Sequence, residues 1–172
     1  MPIRPAQASD LPEIVAIYNA SIDSRMATAD LAPVTVASRR AWFEEFDPAR
    51  RPLFVHANAR GLSGWLSLRS FYGRPAYEAT VETGVYVAPA ARRKGVGQAL
   101  LAHAIAAAPR LRIRTLLAFV FAHNEPSLRL FERNGFTHYG LLPAVAELDG
   151  VERDLAILGH RVAAAPRRGA PA

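Results

Sequence analysis

The sequence predicts an α+β domain in which helices cover a central sheet in a three-layer arrangement. Apolar residues recur at helical spacing in the first third of the chain. From Leu53 onward, short apolar runs alternate with turn signals and with two further helices. The run Thr115–Phe121 is uniformly apolar, as expected of a strand covered on both faces. The predicted order of elements is therefore βααβββαβαββ.

Local signals justify each element in turn. Ile3–Pro5 is a short opening strand, and Asp10 begins a helix with Pro12 in its first turn and Glu13 as the partner in a capping box. Prolines and an Asn-Gly pair mark the ends of later helices. The remaining predictions are helices at 35–46, 97–107 and 124–134, and strands at 53–57, 62–70, 81–87, 115–121, 137–147 and 152–161.

Length and composition limit the class of protein. We expect one domain over residues 1–162, because no repeat or linker divides it, and a disordered basic tail over 163–172. The chain has no cysteine, which excludes disulfides, thiolate metal sites and cysteine nucleophiles. Its 5 histidines lack metal-binding spacing, so we expect no metal. With no signal-peptide pattern and no membrane-length apolar run, we expect a cytoplasmic location and no membrane contact.

The charge balance points to an anionic partner. The formal net charge is +6, which suits nucleic acid or a polyanionic small molecule. Arginines are scattered along the chain, and no basic helix with interleaved aromatic residues is present. A nucleic-acid partner is therefore the weaker alternative, based on charge alone, and a small anionic ligand is preferred.

The stretch from Glu82 to Leu101 identifies where that anion would bind. An apolar strand ends at Pro89, a basic loop with two glycines follows, and a helix starts directly after the loop. Glycine allows the backbone to approach a ligand closely, and the first amides of a helix have no intrahelical acceptor. Together with three cationic side chains, this arrangement suits a diphosphate.

Two motifs of this chain resemble the signatures of the GNAT acetyltransferase superfamily. The first is R-x-x-G-x-G, which begins at Arg92. The second is N-x-x-S-x-x-L-x-x-x-x-G-F, which begins at Asn124, one helix and one strand later. The segments IRPAQASDLPEIVAIYNASI and VETGVYVAPAARRKGVG are similar to the phosphinothricin/methionine sulfoximine acetyltransferase branch. The superfamily resemblance spans about residues 2–162.

The resemblance implies a fold and a cofactor. The fold is that of the GNAT acyl-CoA N-acyltransferases, a mixed, mostly antiparallel sheet whose central strands splay apart at a bulge. Acetyl-CoA is the implied co-substrate, a small amine the acceptor, and a homodimer the common assembly. The implied cofactor-binding residues are Val85, Tyr86, Val87, Arg92, Arg93, Lys94, Gly95, Val96, Gly97, Gln98, Asn124 and Ser127.

Glu82 is the implied general base. A carboxylate in an apolar strand is costly unless it has a task, and desolvation would help it accept a proton from the substrate ammonium. A solvent-facing carboxylate, or one paired with Arg74, is the structural alternative. Arg74 and Tyr77 are predicted to hold an anionic group of the substrate, because arginine binds carboxylate or phosphinate with two hydrogen bonds. A solvated arginine and a packing tyrosine are the equal alternatives.

Two departures from the family limit what the resemblance implies. Phe131 stands where relatives have a tyrosine or histidine that protonates the leaving thiolate, so we assign no general acid. The turn around Asp149 also differs from that of the phosphinothricin enzymes. The acceptor is therefore open between such an amino acid analogue and another metabolite, an antibiotic or a protein N-terminus. A binding module for acyl-CoA without turnover is the alternative from another class.

Overall fold

A computed structural model describes residues 3–163. Its strands are β1 (Ile3–Pro5), β2 (Leu53–Asn58), β3 (Gly61–Ser70), β4 (Thr80–Val87), β5 (Thr115–Phe121), β6 (Thr137–Leu148) and β7 (Val151–Arg161). Its α-helices are α1 (Leu11–Ile22), α2 (Val36–Glu44), α3 (Val96–Ala107) and α4 (Glu125–Arg133). The predicted elements are confirmed within a few residues at each end. The predicted tail, residues 163–172, lies outside the described residues except for its first.

The strands form one mixed sheet in the order β1-β2-β3-β4-β5-β7-β6. Every neighbouring pair is antiparallel except β4 and β5, which are parallel. A parallel pair needs a crossover, and α3 supplies it between β4 and β5. Strand β4 therefore lies in the middle of the sheet, as the sequence predicts.

Helices cover both faces of the sheet. On one face, Leu100 and Leu101 of α3 pack with Leu66 and Val81 of the sheet and with Phe131 of α4. On the other face, a second apolar cluster joins α1 to the sheet through Ile14, Ile17, Val55 and Trp65, and Trp42 of α2 packs against it. Burial of these two apolar surfaces stabilises the three-layer arrangement that the sequence predicts.

The start of α1 differs from the prediction. The Asp10 carboxylate does not cap the helix with Glu13. It accepts two hydrogen bonds from Arg4, at 2.7 and 2.9 Å, and one from the Gln7 amide at 2.7 Å. Glu13 instead accepts a hydrogen bond from the Leu62 amide at 2.7 Å. Both carboxylates therefore connect α1 to strands of the sheet, β1 and β3, rather than capping its first turn.

Two negative observations apply to residues 3–163. No helix in this range is long and apolar enough to cross a membrane. Within the same range, no three side chains among His, Asp and Glu are grouped closely enough to hold a metal ion together.

Candidate active site

Strands β4 and β5 separate after three residue pairs. Thr80, Val81 and Glu82 pair with Thr115, Leu116 and Leu117. Beyond that point, residues 83–87 pair with β3 alone among the described strands. The predicted splay of the central strands is thus confirmed. The expected bulge is not seen in the β3–β4 pairing, whose register is continuous from Val81 to Val87, so the gap opens on the β5 side only.

The stretch 85–87 lies along this gap. Val85, Tyr86 and Val87 are opposite Leu66, Trp65 and Gly64 of β3, and each is partly buried. In a strand, successive backbone groups point to opposite neighbours, so this half of β4 has groups facing a side where no strand pairs. Such groups are available to a ligand that enters between β4 and β5.

The basic loop connects β4 to α3. A single 3₁₀ turn, Pro89–Ala91, follows β4, and the exposed residues Arg92–Lys94 come next. Gly95 precedes the first residue of α3 with a φ of 81°, a left-handed conformation that glycine adopts without strain. Arg93 also has a positive φ, 58°. The turn aims the first amides of α3 outward, beside the positive end of the helix dipole.

The last three residues of the predicted cofactor loop have structural contacts. Val96 is buried in the core. A Cβ on Gly97 would lie 2.9 Å from a methyl group of Leu130, so glycine here lets α3 and α4 approach closely. The Gln98 amide exchanges two hydrogen bonds with Asn134, at 2.8 and 2.9 Å. These three residues therefore offer backbone amides rather than side chains to an anion.

Asn124 has two structural contacts at the start of α4. Its side-chain oxygen accepts a hydrogen bond from the Ser127 amide at 3.2 Å, which caps the helix. Its amide nitrogen donates to the Met26 carbonyl at 2.8 Å. Asn124 is buried and Ser127 is partly buried. The structure thus gives Asn124 a capping and anchoring role, and both residues remain predictions as cofactor contacts.

The loop after α1 crosses the gap between β4 and β5. His123 is hydrogen-bonded to the Arg25 carbonyl at 2.9 Å, and the Tyr86 hydroxyl donates to the Ala27 carbonyl at 3.3 Å. The Arg25 side chain reaches the carboxylate of Asp149 in the β6–β7 turn, with one contact of 2.7 Å. Contacts with Tyr86 of β4, with His123 just after β5 and with Asp149 in the β6–β7 turn therefore hold this loop beside the site.

A cleft of about 140 Å³ lies on the face of the sheet that α1 and α2 cover. Residues of β3 and β4 alternate along its floor, and the opposite pairs are Trp65 with Tyr86, Ser67 with Gly84, and Arg69 with Glu82. We call this the acceptor cleft; Ile14, Val15, Tyr18, Val34, Arg39 and Trp42 complete its lining.

The acceptor cleft is aromatic at one end and charged at the other. Trp65 and Tyr86 stack with their ring centres 4.3 Å apart, and Tyr18 packs against Tyr86 at 5.2 Å. Burial raises the pKa of the Tyr86 hydroxyl above its ordinary value. Arg69 and Glu82 occupy the other end, where directly opposite residues have Cβ atoms about 5 Å apart.

Glu82 lies at the point where β4 leaves β5. Its side chain is exposed, whereas its neighbours Val81 and Thr83 are buried. It makes no hydrogen bond to another described side chain and no salt bridge within residues 3–163. The expected desolvation is therefore wrong for the chain by itself, and so is the pairing with Arg74. What the structure gives instead is an exposed carboxylate beside the gap, which matches the solvent-facing alternative.

Arg74 and Tyr77 do not join this cleft. Arg74 precedes a 3₁₀ turn, Pro75–Tyr77, on the surface between β3 and β4, and Tyr77 is the last residue of that turn. Tyr77 is 42% exposed and packs edge-on against Phe71 at 5.5 Å. The arginines that line the cleft are Arg39 and Arg69. This arrangement matches the structural alternative, a solvated arginine and a packing tyrosine.

The two arginines of the acceptor cleft differ in how firmly other residues hold their guanidinium groups. Arg39 donates to Asp30 at 2.8 Å, and its guanidinium lies 4.7 Å from the centre of the Tyr18 ring. Arg69 has only a long contact, 3.4 Å, with Glu45, and both side chains are substantially exposed. Arg69 is therefore the more available of the two for an anionic group of a ligand.

Phe131 is in the core. It is 3% exposed and packs against Phe136 with ring centres 4.9 Å apart, so it supplies no proton donor. Among the substitutes considered from the sequence, His138 is hydrogen-bonded to Glu132 at 3.0 Å and Tyr139 is exposed outside the cleft. Tyr86 lines the acceptor cleft. No general acid is assigned.

Sequence reasoning missed Ser67, Arg69 and Gly84. The alternation of β3 places Ser67 and Arg69 on the same face as Trp65, so a period of two starting from that residue would have found them. Gly84 sits inside a strand, where glycine often marks a close approach of a ligand or backbone. A Cβ there would lie 3.1 Å from the Ser67 hydroxyl, which shows how narrow the floor is.

Splayed central strands, a helix start open to an anion, and a carboxylate beside the gap define an acyl-CoA-dependent acyltransferase. The chain belongs to the acetyltransferase (GNAT) family, whose profile matches residues 14–136. It is accordingly an acetyl-CoA-dependent N-acetyltransferase.

Individual relatives are similar in sequence to this chain over nearly its whole length. A Bacillus subtilis (strain 168) protein named "Putative phosphinothricin acetyltransferase YwnH" is 49% identical over 94% of this chain and 99% of its own length. An L-methionine sulfoximine/L-methionine sulfone acetyltransferase of Pseudomonas aeruginosa is 33% identical over 98% of both chains. The crystal structure of a GNAT superfamily phosphinothricin acetyltransferase from Sinorhizobium meliloti in complex with acetyl-CoA has a TM-score of 0.87. It is 30% identical and covers 94% of this chain and 88% of the other.

Proposed function

We propose that this enzyme acetylates the primary amine of a small amino acid analogue of the phosphinothricin or methionine sulfoximine type. One observation supports this acceptor above others: Arg69 and Glu82 lie side by side at one end of the acceptor cleft. The arginine suits a carboxylate or phosphinate, and the carboxylate suits an ammonium. The names of the relatives from Bacillus and Pseudomonas support the same class.

The proposed reaction is direct attack within a ternary complex. Glu82 accepts a proton from the substrate ammonium, directly or through one water. The free amine then attacks the thioester carbonyl and forms the carbon–nitrogen bond. The carbon–sulfur bond breaks, CoA leaves as the thiolate, and the nitrogen releases its extra proton to solvent water. Backbone amides of residues 85–87 hydrogen-bond the acetyl carbonyl, where negative charge develops in the transition state. Placing both reactants in one gap supplies a large share of the rate enhancement.

The proposed cofactor site uses the loop and the start of α3. The side chains of Arg92, Arg93 and Lys94 contribute charge to the diphosphate, and the amides from Gly95 to Gln98 donate hydrogen bonds. Lys94 donates to the Ala90 carbonyl at 2.7 Å, which holds its ammonium near the loop. Asn124 positions the loop around Met26, and Ser127 is proposed to contact the pantetheine or a phosphate of the cofactor.

An amine panel tests the acceptor. Purified enzyme is given acetyl-CoA with methionine sulfoximine, phosphinothricin, a common metabolite amine, an aminoglycoside or a peptide with a free N-terminus, and thiol release is followed. We expect the two amino acid analogues to give the highest kcat/KM. Preference for the aminoglycoside or the peptide would contradict the proposed acceptor. CoA binding without turnover on any amine would contradict catalysis by this chain.

We also infer a homodimer that forms along β6. This strand is the last of the sheet, and Leu141 and Val145 on it are 54% and 53% exposed. An uncovered edge strand with exposed apolar residues favours association. Light scattering after gel filtration is expected to give twice the chain mass, and Leu141→Asp with Val145→Asp to give the monomer. A parent chain that is monomeric at micromolar concentration would contradict the inference. The cytoplasmic location stays a prediction, which cell fractionation checks.

A further inference from the structure

Another cleft shares no lining residue with the acceptor cleft. It has a volume of about 830 Å³ and lies where three segments meet: the one before β2, the one before β4 and the one between α3 and β5. The end of β7 completes it through Arg161. Its volume falls within the usual range for small-molecule sites, about 300–1,000 Å³.

Arginine dominates this lining. Glu78 is the one carboxylate among the lining residues of this cleft. Its side chain is hydrogen-bonded to an arginine of the segment before β2. We call the site the arginine cleft, after the six arginines that line it: Arg50, Arg51, Arg110, Arg112, Arg114 and Arg161.

Most of this charge has no carboxylate partner among residues 3–163. Among residues 3–163, only Arg50 of these six arginines makes a salt bridge, the one to Glu78. Residues 1–2 and 164–172 contain no aspartate or glutamate, so their side chains cannot supply the missing negative charge. Burial lowers the pKa of Arg51, and the neighbouring charge of Arg50 lowers it further. The arginines give this cleft a positive potential, and such a potential attracts anions.

The segment between α3 and β5 presents three arginines to the cleft. Arg110, Arg112 and Arg114 are exposed, whereas the alternate residues Leu111 and Ile113 are 7% and 2% exposed and belong to the core. Anchoring the two apolar residues holds the three guanidinium groups on one side of the segment. Arg161, on the adjacent strand β7, donates to Thr115 at 2.8 Å and is held in the same way.

We propose that the arginine cleft is a second anion-binding site, which takes a small ligand with two or more linked phosphate groups. Guanidinium forks match phosphate oxygens with paired hydrogen bonds. All three side-chain nitrogens of Arg51 donate within the protein, to Ser70 and to the carbonyls of Arg50 and Glu78. The other four arginines without a salt bridge among residues 3–163 call for a ligand with several charges. The cleft is concave and of small-molecule size, which favours such a ligand over a nucleic acid strand.

This site is separate from the cofactor loop. The loop ends in the first turn of α3, which begins at Val96, whereas Arg110 follows the last residue of the helix, Ala107. A helix of 12 residues is about 18 Å long, so one diphosphate cannot occupy both places. The proposal goes beyond the acetyl transfer and does not depend on the identity of the acceptor.

Calorimetric titration of the enzyme saturated with CoA tests the proposal, because CoA then occupies the cofactor loop. The probes are inorganic tripolyphosphate, ATP and citrate at constant ionic strength. We expect one saturable site for tripolyphosphate and weaker binding of citrate. Tighter binding of ATP than of tripolyphosphate would identify a nucleotide as the ligand, and equal binding would identify the phosphate chain as sufficient. No saturable binding, or equal binding of citrate, would overturn the proposal.

Substitutions locate the binding. Arg110→Gln with Arg114→Gln is expected to weaken tripolyphosphate binding about tenfold or more, whereas the control Arg60→Gln, in the turn between β2 and β3, leaves it unchanged. Equal affinity of the double variant would overturn the assignment. If that variant fails to fold, Arg110→Lys with Arg114→Lys keeps the charge but not the fork, and undiminished binding would again contradict the site. Tighter binding of a single-stranded RNA that displaces tripolyphosphate would show a nucleic-acid surface instead.

Discussion

The cofactor loop follows strand β4 and the acceptor cleft includes residues of that strand, but the two are built in different ways. The loop is one continuous stretch, residues 92–98, whose last three side chains have structural contacts and whose amides face outward. The acceptor cleft gathers its side chains from α1, α2, β3 and β4, and its floor depends on the register between two strands. In the proposed assignment, the cofactor side therefore uses backbone amides and exposed cations of one stretch, whereas the acceptor side uses side chains from several elements. Substitutions should therefore separate the two kinetically.

The largest effect is expected for Glu82→Gln. Loss of the general base should lower kcat by roughly 10²- to 10⁴-fold and leave the KM for acetyl-CoA unchanged. The thermal midpoint should not fall, because the Glu82 side chain is exposed and has no hydrogen-bond partner among residues 3–163. Steady-state thiol release and a thermal melt measure these quantities. Glu44→Gln, at the exposed end of α2, is the matched control. A kcat close to that of the parent would remove Glu82 from the chemistry.

Next in size is the loss of charge on the cofactor side. Arg92→Gln with Arg93→Gln should raise the KM for acetyl-CoA about tenfold or more, because charge-assisted contacts to the diphosphate are lost. The effect should shrink at high salt, which screens exposed charges. Titration of acetyl-CoA at two salt concentrations measures it, with Arg60→Gln as the control. A change in the KM for the acceptor alone would break the distinction between the two regions.

A similar or smaller effect is expected on the acceptor side. Arg69→Gln should raise the KM for methionine sulfoximine about tenfold and leave that for acetyl-CoA unchanged, because one charged hydrogen-bonding partner is lost. Arg74→Gln is the informative comparison, since the sequence alone assigns the substrate's anionic group to Arg74. If Arg74→Gln raises the KM for the acceptor and Arg69→Gln does not, the cleft has been assigned to the wrong arginine.

The smallest effect on activity is expected from Asp10→Asn, which loosens the start of α1 without touching the cofactor loop. The Arg4 guanidinium lowers the pKa of Asp10 in the folded chain. The pair therefore stabilises the fold above the unfolded pKa of Asp, about 3.9, and this contribution is lost as pH falls through the lower folded value. Urea unfolding at neutral pH should show a loss of about 1–3 kcal/mol.

The acid arm of the same experiment supplies the check. The difference in the free energy of unfolding between parent and Asp10→Asn should diminish as pH falls below the unfolded pKa of Asp. A difference that is constant with pH would show that the effect comes from packing rather than from the ion pair.

The fold could be predicted from local signals to an unusual extent, and particular elements show why. Thr115–Phe121 is the predicted strand residue for residue, because a doubly covered strand is uniformly apolar. Helix α4 begins after Asn124 and ends before Asn134 because the cap and the stop are both encoded in those residues. The prediction of a capping box at Asp10 is wrong, because Arg4, six residues away, offers that carboxylate a stronger partner than the helix start does.

The candidate site was predicted in part. The loop 92–98 followed from its own residues, since glycines and cations in one stretch specify a conformation and a charge by themselves. The acceptor cleft did not, because Arg69 and Glu82 become neighbours only through the pairing of β3 with β4. Likewise, the sequence placed Arg74 and Tyr77 beside the central strand, but a 3₁₀ turn directs them to the surface.

By itself, then, the sequence determined the order of elements, the family and the basic, glycine-containing loop at the start of α3, all of which depend on neighbours in the chain. Tertiary structure alone decided which arginine faces Glu82, that Phe131 is a core residue, and that six arginines from distant segments share one cleft. The physical reason is the same in each case. Side-chain neighbours across a sheet or between loops are set by register and packing, which no local pattern encodes.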